Sequence, residues 1–446
     1  MSTGGGTGRR RWVTLIRPMD PSTTAPTASS VNEDWVAVWI GAAIIAVVLV
    51  GVRPAAPGFA WDGLADLATV FAAGNVLLWL QLGVLILIPA AIGARLMGAR
   101  LVPFVAGFAV LYGLAGVSLI LAGYAGSTGV GLEYVIYALV IGLLLGHTTP
   151  LRRWFAEAVQ AEYYIKIGLV ILGTRVLFQQ LVDAGLLGLA QALVVVLSVW
   201  TFCFWLSKRL QVDDELATIM SSAVSICGVS AAIATCGAIQ GDRKKLSYVS
   251  SLVLVVAVPM MLVMPWIAGA VGMPDAVAGA WLGGTLDTSA SVVAAGELVG
   301  EQARNAAIVV KLSQNVLIGL AAFILTVWWS MRQGGAATQK ASASLIWERF
   351  PKFVLGFLGA SLVFSFALPD QSVTDTRGLL GAARTAWFAM AFLSIGLETS
   401  VGDLIKTGGG RPAYAFLGAQ AFNIVVTLVV AYLLFGGILF PAPVFN

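Results

Sequence analysis

The chain is 446 residues long, 59% hydrophobic and only 11% charged, with a mean hydropathy of +0.91. Soluble domains carry roughly 25% charged residues, so this composition excludes a predominantly soluble protein and indicates one that is surrounded mainly by lipid. The formal net charge of +4 does not indicate nucleic-acid binding, because the basic residues stand at the ends of apolar segments, as the positive-inside rule requires.

The N-terminal part of the chain predicts a tail and three membrane spans. Residues 1–34 are rich in Gly, Ser, Thr and Pro, which predicts a disordered cytoplasmic tail. Apolar segments long enough to cross a bilayer follow at 35–52, 73–94 and 102–123. Residues 58–72 predict an interfacial helix or the start of the second span. We expect residues 35–127 to form additional transmembrane helices.

The remaining sequence divides into two sets of five apolar segments. In the first set, over residues 128–272, the segments lie near 132–147, 164–182, 185–207, 213–240 and 245–271. In the second set, over residues 273–440, they lie near 275–296, 303–331, 351–369, 378–402 and 411–438. Because five is an odd number, the second set enters the membrane from the opposite side, as in the inverted repeats of transporters. The sequence therefore predicts an all-α polytopic membrane protein with about thirteen transmembrane helices.

The charges of the loops predict the orientation of the chain. With the N-terminus in the cytoplasm, most loop lysines and arginines fall on the inner side of the membrane. The run Arg243–Lys245 is an exception, because it falls on the outer side. We expect a multi-pass protein of a bacterial inner membrane, with a homodimer through the three additional helices.

Two apolar segments, each the fourth of its set, are interrupted by polar, glycine-bearing steps. The steps are Ser225–Ser230, around Gly228, and Ser394–Ser400, around Gly396. A broken helix in lipid frees backbone groups that must face protein, water or a ligand. The half-helices that restart after the two glycines would run antiparallel, so their positive ends would meet at one point. The pair predicts a binding site at mid-membrane, at crossed broken helices.

Charged residues inside apolar segments mark the same region. A charge at the bilayer centre costs about 2.5–3.5 kcal/mol. Arg175 and Lys311 are predicted to attract an anion, with a structural ion pair as the alternative for Arg175. Asp287 and Glu398 are candidates to hold a coupling ion, either a proton or sodium. The predicted substrate-binding residues are Arg175, Ser225, Cys227, Gly228, Ser230, Thr288, Ser289, Lys311, Ser394, Gly396 and Thr399.

Metal, cofactor and nucleotide chemistry have little support in the sequence. The cysteines Cys203, Cys227 and Cys236 all lie in apolar stretches, where we expect small buried side chains rather than disulfides. With the single histidine, His147, they form no zinc or haem pattern. The sequence has no P-loop and no Gly-x-Ser-x-Gly elbow. We expect neither an enzyme nor a bound cofactor beyond the coupling ion.

Several of these motifs resemble the YeiH-type family of sulfate exporters. The resemblance runs in order from about 132 to 435 and is most specific at Ser225–Ala231 and Asp287–Gly296. It implies a fold similar to the bile acid/sodium symporter group, with two inverted five-helix repeats and crossed broken helices, and it implies anion transport. Many relatives have a histidine before the acid, where this chain has Leu286, so a titrating His–acid pair is absent.

The resulting hypothesis is a secondary active transporter of a small anion that works by alternating access. The anion would be sulfate or another sulfur-containing or carboxylate anion. One alternative is a sodium-coupled uptake carrier for organic anions, and another is an anion channel.

Overall fold

The computed structural model describes residues 32–129, 133–146, 156–332, 343–399 and 410–443. The regular structure in these ranges is helical, apart from one β-bridge between Trp61 and Tyr124. The first helices are α1 (Glu33–Leu49), α2 (Leu64–Val70), α3 (Ala73–Leu96), α4 (Leu101–Ala122), α5 (Ala125–Gly129), α6 (Tyr134–Gly146), α7 (Ala161–Leu172), α8 (Phe178–Arg209) and α9 (Asp214–Ser222). They are followed by α10 (Gly228–Ala238), α11 (Arg243–Ala270), α12 (Asp275–Thr285), α13 (Ser289–Val299), α14 (Glu301–Arg332), α15 (Ala343–Arg349), α16 (Phe353–Leu362), α17 (Asp370–Glu398) and α18 (Arg411–Phe435).

Eight helical stretches within these ranges are long and apolar enough to cross a membrane. Several also present apolar side chains outward, as lipid contact requires. On α3, five such residues recur every three or four positions and are each more than half exposed: Leu77, Leu80, Val84, Ile88 and Ile92. The prediction of an all-α, multi-pass membrane protein is therefore confirmed, whereas the thirteen spans and the inverted repeat stay predictions.

The helices pack as two bundles. Bundle 1 contains α1, α3, α4, α6, α7, α16 and α17, and bundle 2 contains α8 to α15 and α18. The bundles meet mainly where α13 packs against α6, α7 and α17, and where α16 packs against α8. Each bundle combines helices from both predicted sets, so the boundary near residue 272 does not separate the two packed units.

Large aromatic side chains fill the interior of bundle 1. Trp387 on α17 is fully buried, and its ring centroid lies 5.5 Å from that of Tyr164 and 6.0 Å from that of Phe108. Pairs of this kind contribute about 0.5–1.5 kcal/mol beyond the burial of their area. They join α4, α7 and α17 on the side of bundle 1 that packs against α13.

The predicted helix break at Gly396 is wrong. Helix α17 continues through Gly396 and ends at Glu398. The glycine instead allows close packing, because a Cβ there would lie 2.6 Å from the Leu139 carbonyl oxygen and 2.8 Å from the Gly142 Cα on α6. Small residues at helix contacts serve this purpose in membranes. Residues 400–409, His147 and most of the predicted tail lie outside the described ranges.

Replacing Gly396 by alanine is expected to destabilise the protein by about 1–3 kcal/mol, because the added methyl group meets backbone atoms that cannot rotate away. Thermal unfolding of the purified protein in detergent measures the effect. Gly378→Ala is the matched control in the same helix, since a Cβ there has no neighbour within 4 Å. Equal unfolding temperatures for the two variants would contradict the close contact between α6 and α17.

Candidate functional site

Two interrupted helices meet in bundle 2. The first runs from α9 through a π-helical turn, Ala223–Cys227, into α10 at Gly228, which has φ +45° and ψ −117°. The second consists of α12 and α13, separated by the extended step Leu286–Thr288. A Cβ on Gly228 would lie 3.0 Å from the Asp287 carbonyl oxygen, so the two interruptions touch. We call this contact, residues 224–228 and 284–289, the crossing.

The partner of the Gly228 break was therefore predicted at the wrong place. Residues 275–296 were predicted to form one span, and the second break was predicted at Gly396. The interruption is instead at Asp287, the residue predicted to hold a coupling ion, beside Thr288 and Ser289, which were predicted to bind the substrate. Two half-helix N-termini do meet, as predicted, but the second is the N-terminus of α13 and not that of the segment after Gly396.

Lys311 on α14 joins the two broken helices. Its side chain is only 2% exposed. Its Nζ donates to the carbonyl oxygens of Ile226 at 2.8 Å and Leu286 at 2.7 Å, and to Gln314 Oε1 at 2.8 Å. These carbonyls end the first half of each broken helix, where the helix dipole is negative. An ammonium has three donors, so this geometry leaves none for an anion, contrary to the predicted role of Lys311.

Amide side chains pair with the other backbone groups that the breaks set free. Gln314 Nε2 donates to the Ser225 carbonyl at 2.8 Å, and Asn423 Nδ2 donates to the carbonyls of Val224 and Thr285 at 3.2 Å each. Gln420 Nε2 also donates to the Thr285 carbonyl, at 3.1 Å. These bonds pair backbone carbonyls that a broken helix would otherwise leave without a hydrogen bond inside the membrane. Sequence reasoning missed Gln420 and Asn423, although two amides inside the last apolar segment were a usable signal.

Asp287 has a different environment. The residue is 2% exposed, and neither carboxylate oxygen has a hydrogen-bond partner among the described residues. It directly precedes Thr288, whose hydroxyl caps α13 by accepting from the Ser291 N–H at 3.1 Å. Burial disfavours the charged form of this side chain, whereas the positive charge of Lys311 and the positive end of α13 favour it. The Gln420 amide approaches the carboxylate, but its N–H groups are directed to Thr285 and Met260.

The unpartnered buried atoms around Asp287 are mainly oxygens that accept. Besides the two carboxylate oxygens they include Gln420 Oε1, Asn315 Oδ1 and the Thr285 hydroxyl, none of which has a partner in the described part of the chain. Oxygen ligands of this kind suit a proton or a hard cation rather than an anion. No group of three or more His, Cys, Asp or Glu that could hold a metal ion occurs in the described ranges.

The structure brings together part of the predicted substrate-binding set and one of the two predicted coupling residues, Asp287. Residues at or beside the crossing are Ser225, Cys227, Gly228, Asp287, Thr288, Ser289 and Lys311. Ser230 is exposed in the first turn of α10.

The other predicted residues lie elsewhere, which corrects the prediction of one site. The hydroxyls of Ser394 and Thr399 donate to carbonyls of their own helix, α17, and Glu398 ends that helix. Arg175 was predicted at mid-span but closes a turn between α7 and α8. Its Nη1 pairs with Glu301 Oε1 at 3.4 Å.

A side chain at Gly228 is expected to weaken both stability and function. Gly228→Ala introduces a methyl group at a backbone conformation that L-residues adopt only at a cost of about 1–3 kcal/mol, and that methyl group would lie 2.7 Å from Val253 Cγ1. Thermal unfolding measures the loss. Gly269→Ala on α11 is the control, because nothing lies within 4 Å of its Cβ position. A Gly228→Ala protein as stable as the control would argue against the observed break.

Comparison with known proteins places the chain in a family. The family model described as Conserved hypothetical protein 698 matches residues 106–415. A UPF0324 membrane protein of Nitratidesulfovibrio vulgaris is 37% identical over 359 residues, which cover 77% of this chain and 62% of that protein. This chain therefore aligns with less than two thirds of that relative.

Other relatives carry the same family name. A UPF0324 membrane protein of Rhodopirellula baltica is 37% identical over 366 residues, covering 79% of this chain and 67% of the relative. The UPF0324 inner membrane protein YeiH of Escherichia coli is 25% identical over 348 residues, covering 74% and 96%. No solved structure matches the chain, and the relation to bile acid symporters stays a prediction. The chain belongs to the UPF0324 family of membrane proteins, the family of YeiH.

Proposed function

We propose that the protein is a secondary active transporter of a small anion and that Asp287 binds the coupling ion. The observation that carries this proposal is the buried Asp287 carboxylate, which lies in the interruption of one broken helix and against the interruption of another. Intramembrane carboxylates in such positions mark ion and proton pathways, and broken helices at mid-membrane are typical of transporter binding sites.

The coupling ion would be a proton or sodium. Both would neutralise Asp287, and both are compatible with the accepting oxygens of Gln420 and Thr285. Lys311 would hold the crossing together while the charge of Asp287 changes, because its own bonds go to backbone carbonyls and Gln314. Binding of the ion would therefore neutralise the charge of Asp287 between the broken helices, while the hydrogen bonds of Lys311 would keep the two helices in contact.

Alternating access would move the two bundles relative to each other. The contact between them is limited mainly to α13 and α16, and α13 is the half-helix that starts at the crossing. A change in the charge of Asp287 therefore acts directly beside a helix that forms part of the bundle interface. Rigid-body movement of one bundle against another is the usual form of such a transport cycle.

Flux into proteoliposomes tests this function. Reconstituted protein should take up radiolabelled sulfate, thiosulfate or succinate by saturable counterflow, and an imposed pH or sodium gradient should drive accumulation above equilibrium. The gradient that acts identifies the coupling ion. Non-saturating, voltage-driven currents would indicate a channel instead, and the absence of both flux and counterflow for all of these anions would reject the proposal.

A further inference from the structure

A second group of charged and polar side chains lies between the two bundles, away from Lys311 and Asp287, and its buried members are Tyr134, Arg304 and Arg384. From bundle 1 it contains Tyr134 on α6, Arg175 after α7 and Arg384 on α17, and from bundle 2 it contains Glu297, Glu301 and Arg304. We call these six residues the guanidinium cluster. The ion pair between Arg175 and Glu301 crosses the bundle interface.

Arg304 uses both carboxylates of the guanidinium cluster. Its side chain is 3% exposed; Nη1 donates to both oxygens of Glu297 at 3.3 Å, and Nη2 donates to Glu301 Oε1 at 2.9 Å. Asn305 Oδ1 accepts from its Nε and Nη2. The same Glu301 oxygen also accepts from Arg175. Glu297 therefore pairs with Arg304, whereas Glu301, whose side chain is 56% exposed, is shared by Arg304 and Arg175.

Arg384 is attracted by the charges of Glu297 and Glu301, but its Nε and Nη1 make no hydrogen bond comparable to those of Arg304 within the described ranges. The residue is 7% exposed, and its Nε and Nη1 are buried without a hydrogen-bond partner in the described ranges. Arg175 Nε and the Tyr134 hydroxyl are buried and unpartnered in the same sense. Two observations place these atoms in the same region. The charges of Arg384 and Arg304 act on both Arg175 and Tyr134. The Arg175 guanidinium lies against Gly381, which is one helical turn before Arg384.

The charges and the donors of the guanidinium cluster both favour an anion. Its three arginines face only two carboxylates, which leaves one positive charge. Arg377 and Glu133 at its margin add one charge of each sign and do not change that excess. Buried guanidinium groups without an acceptor are strongly unfavourable, whereas an oxyanion offers paired oxygens that fit their fork of N–H groups.

The guanidinium cluster thus differs in kind from the crossing. At Asp287 the unpartnered atoms are mainly acceptors, while at Arg384, Arg175 and Tyr134 every unpartnered nitrogen donates and the phenol can donate. We propose that Arg384, Arg175 and Tyr134 form an oxyanion-binding site between the bundles, and that this is where the transported anion is recognised. The second half of the proposal rests on the transport function above. An anion bound there would contact bundle 1 directly and bundle 2 through the arginine–glutamate pairs.

Binding by the purified full-length protein in detergent tests the site. Sulfate, phosphate and acetate are titrated separately, with chloride as the control for ionic strength, and the unfolding temperature and calorimetric affinity are recorded. We expect at least one oxyanion to stabilise the protein. Arg384→Gln should weaken that binding by at least about tenfold, and Tyr134→Phe by a smaller factor. Arg377→Gln removes the same charge from an exposed position of α17 at the margin of the cluster and should weaken the binding far less than Arg384→Gln does.

The outcomes separate the site from the transport function. If no oxyanion binds, or if Tyr134→Phe and Arg384→Gln bind as the parent does, the site is rejected while gradient-driven transport can still stand. If Arg377→Gln lost as much affinity as Arg384→Gln, the loss would reflect the net charge of the protein, and the site would also be rejected. Stabilisation by added phosphatidylglycerol and by none of the free anions would assign a lipid headgroup and overturn recognition of the transported anion. Binding that depends on Arg384, without any flux in liposomes, would uphold the site and reject the transport function.

Discussion

Asp287→Asn is expected to abolish gradient-driven accumulation of the anion and to leave the protein folded. The amide cannot carry a negative charge, so it can no longer take up a proton or hold sodium electrostatically. The side chain keeps its size, and it sits where no described residue donates to the carboxylate. Removing the buried negative charge also removes the free-energy cost of its desolvation, which offsets the lost attraction to Lys311. The unfolding temperature should therefore stay within roughly 2–4 °C of the parent, the shift that about 1 kcal/mol produces. Flux in proteoliposomes under the effective gradient is the measurement.

The matched control for this variant is Asp275→Asn. Asp275 begins α12, the helix that leads to Asp287, but it is exposed to the surroundings. Its replacement should leave the flux at the parental level. Parental accumulation in Asp287→Asn would show that the coupling ion binds elsewhere. Equal losses in the two variants would show that the charge of α12, rather than the crossing, is what matters.

The gross architecture follows from composition, and the first break follows from one local motif. A chain with 11% charged residues and repeated apolar segments must be a helical membrane protein. Gly228 was identified because it lies in a polar, glycine-bearing step inside an apolar segment, and in the structure this glycine has a positive φ. The first conclusion depends only on composition and the second only on a short stretch of sequence, so both could be reached without a structure.

The second break was missed because two different uses of small residues look alike in a sequence. The stretch around Gly396 and the stretch around Asp287 both combine glycine with Ser and Thr. In the first the glycine lets α17 contact α6, whereas in the second the chain leaves the helix and Thr288 caps a new one. Small residues serve helix packing and helix breaks alike, so only the partner helix distinguishes them.

The role of Lys311 could not be read from the sequence for a related reason. Two of its three acceptors are backbone carbonyls, those of Ile226 and Leu286. Every residue has such a carbonyl, so the contact leaves no trace in residue identity. The guanidinium cluster could not be predicted either, for a different reason. Its arginines, Arg175, Arg304 and Arg384, come from three separate segments and meet only through the packing of the bundles.

Lys311→Met is expected to be the most damaging single substitution in the crossing. Methionine has a similar length but no donor, so the carbonyls of Ile226 and Leu286 and the Gln314 side-chain oxygen lose the ammonium, and Asp287 loses its positive neighbour. Removing one partner of a buried charged network costs about 3–5 kcal/mol. The unfolding temperature in detergent should fall by on the order of 10 °C. Lys208→Met is the control, because Lys208 is half-exposed and pairs with Asp214 at the surface, where such pairs contribute about 0–1 kcal/mol.

The double variant Asp287→Asn/Lys311→Met separates the charge of Lys311 from its hydrogen bonds. If the buried carboxylate causes part of the damage, the double variant should be more stable than Lys311→Met by about 0.5–3 kcal/mol, the usual range of coupling between interacting residues. The remaining deficit would then measure the unsatisfied carbonyls. A double variant no more stable than Lys311→Met would mean that Asp287 and Lys311 do not interact electrostatically. A Lys311→Met protein as stable as Lys208→Met would mean that Lys311 does not hold the broken helices together, and the crossing would need another source of stability.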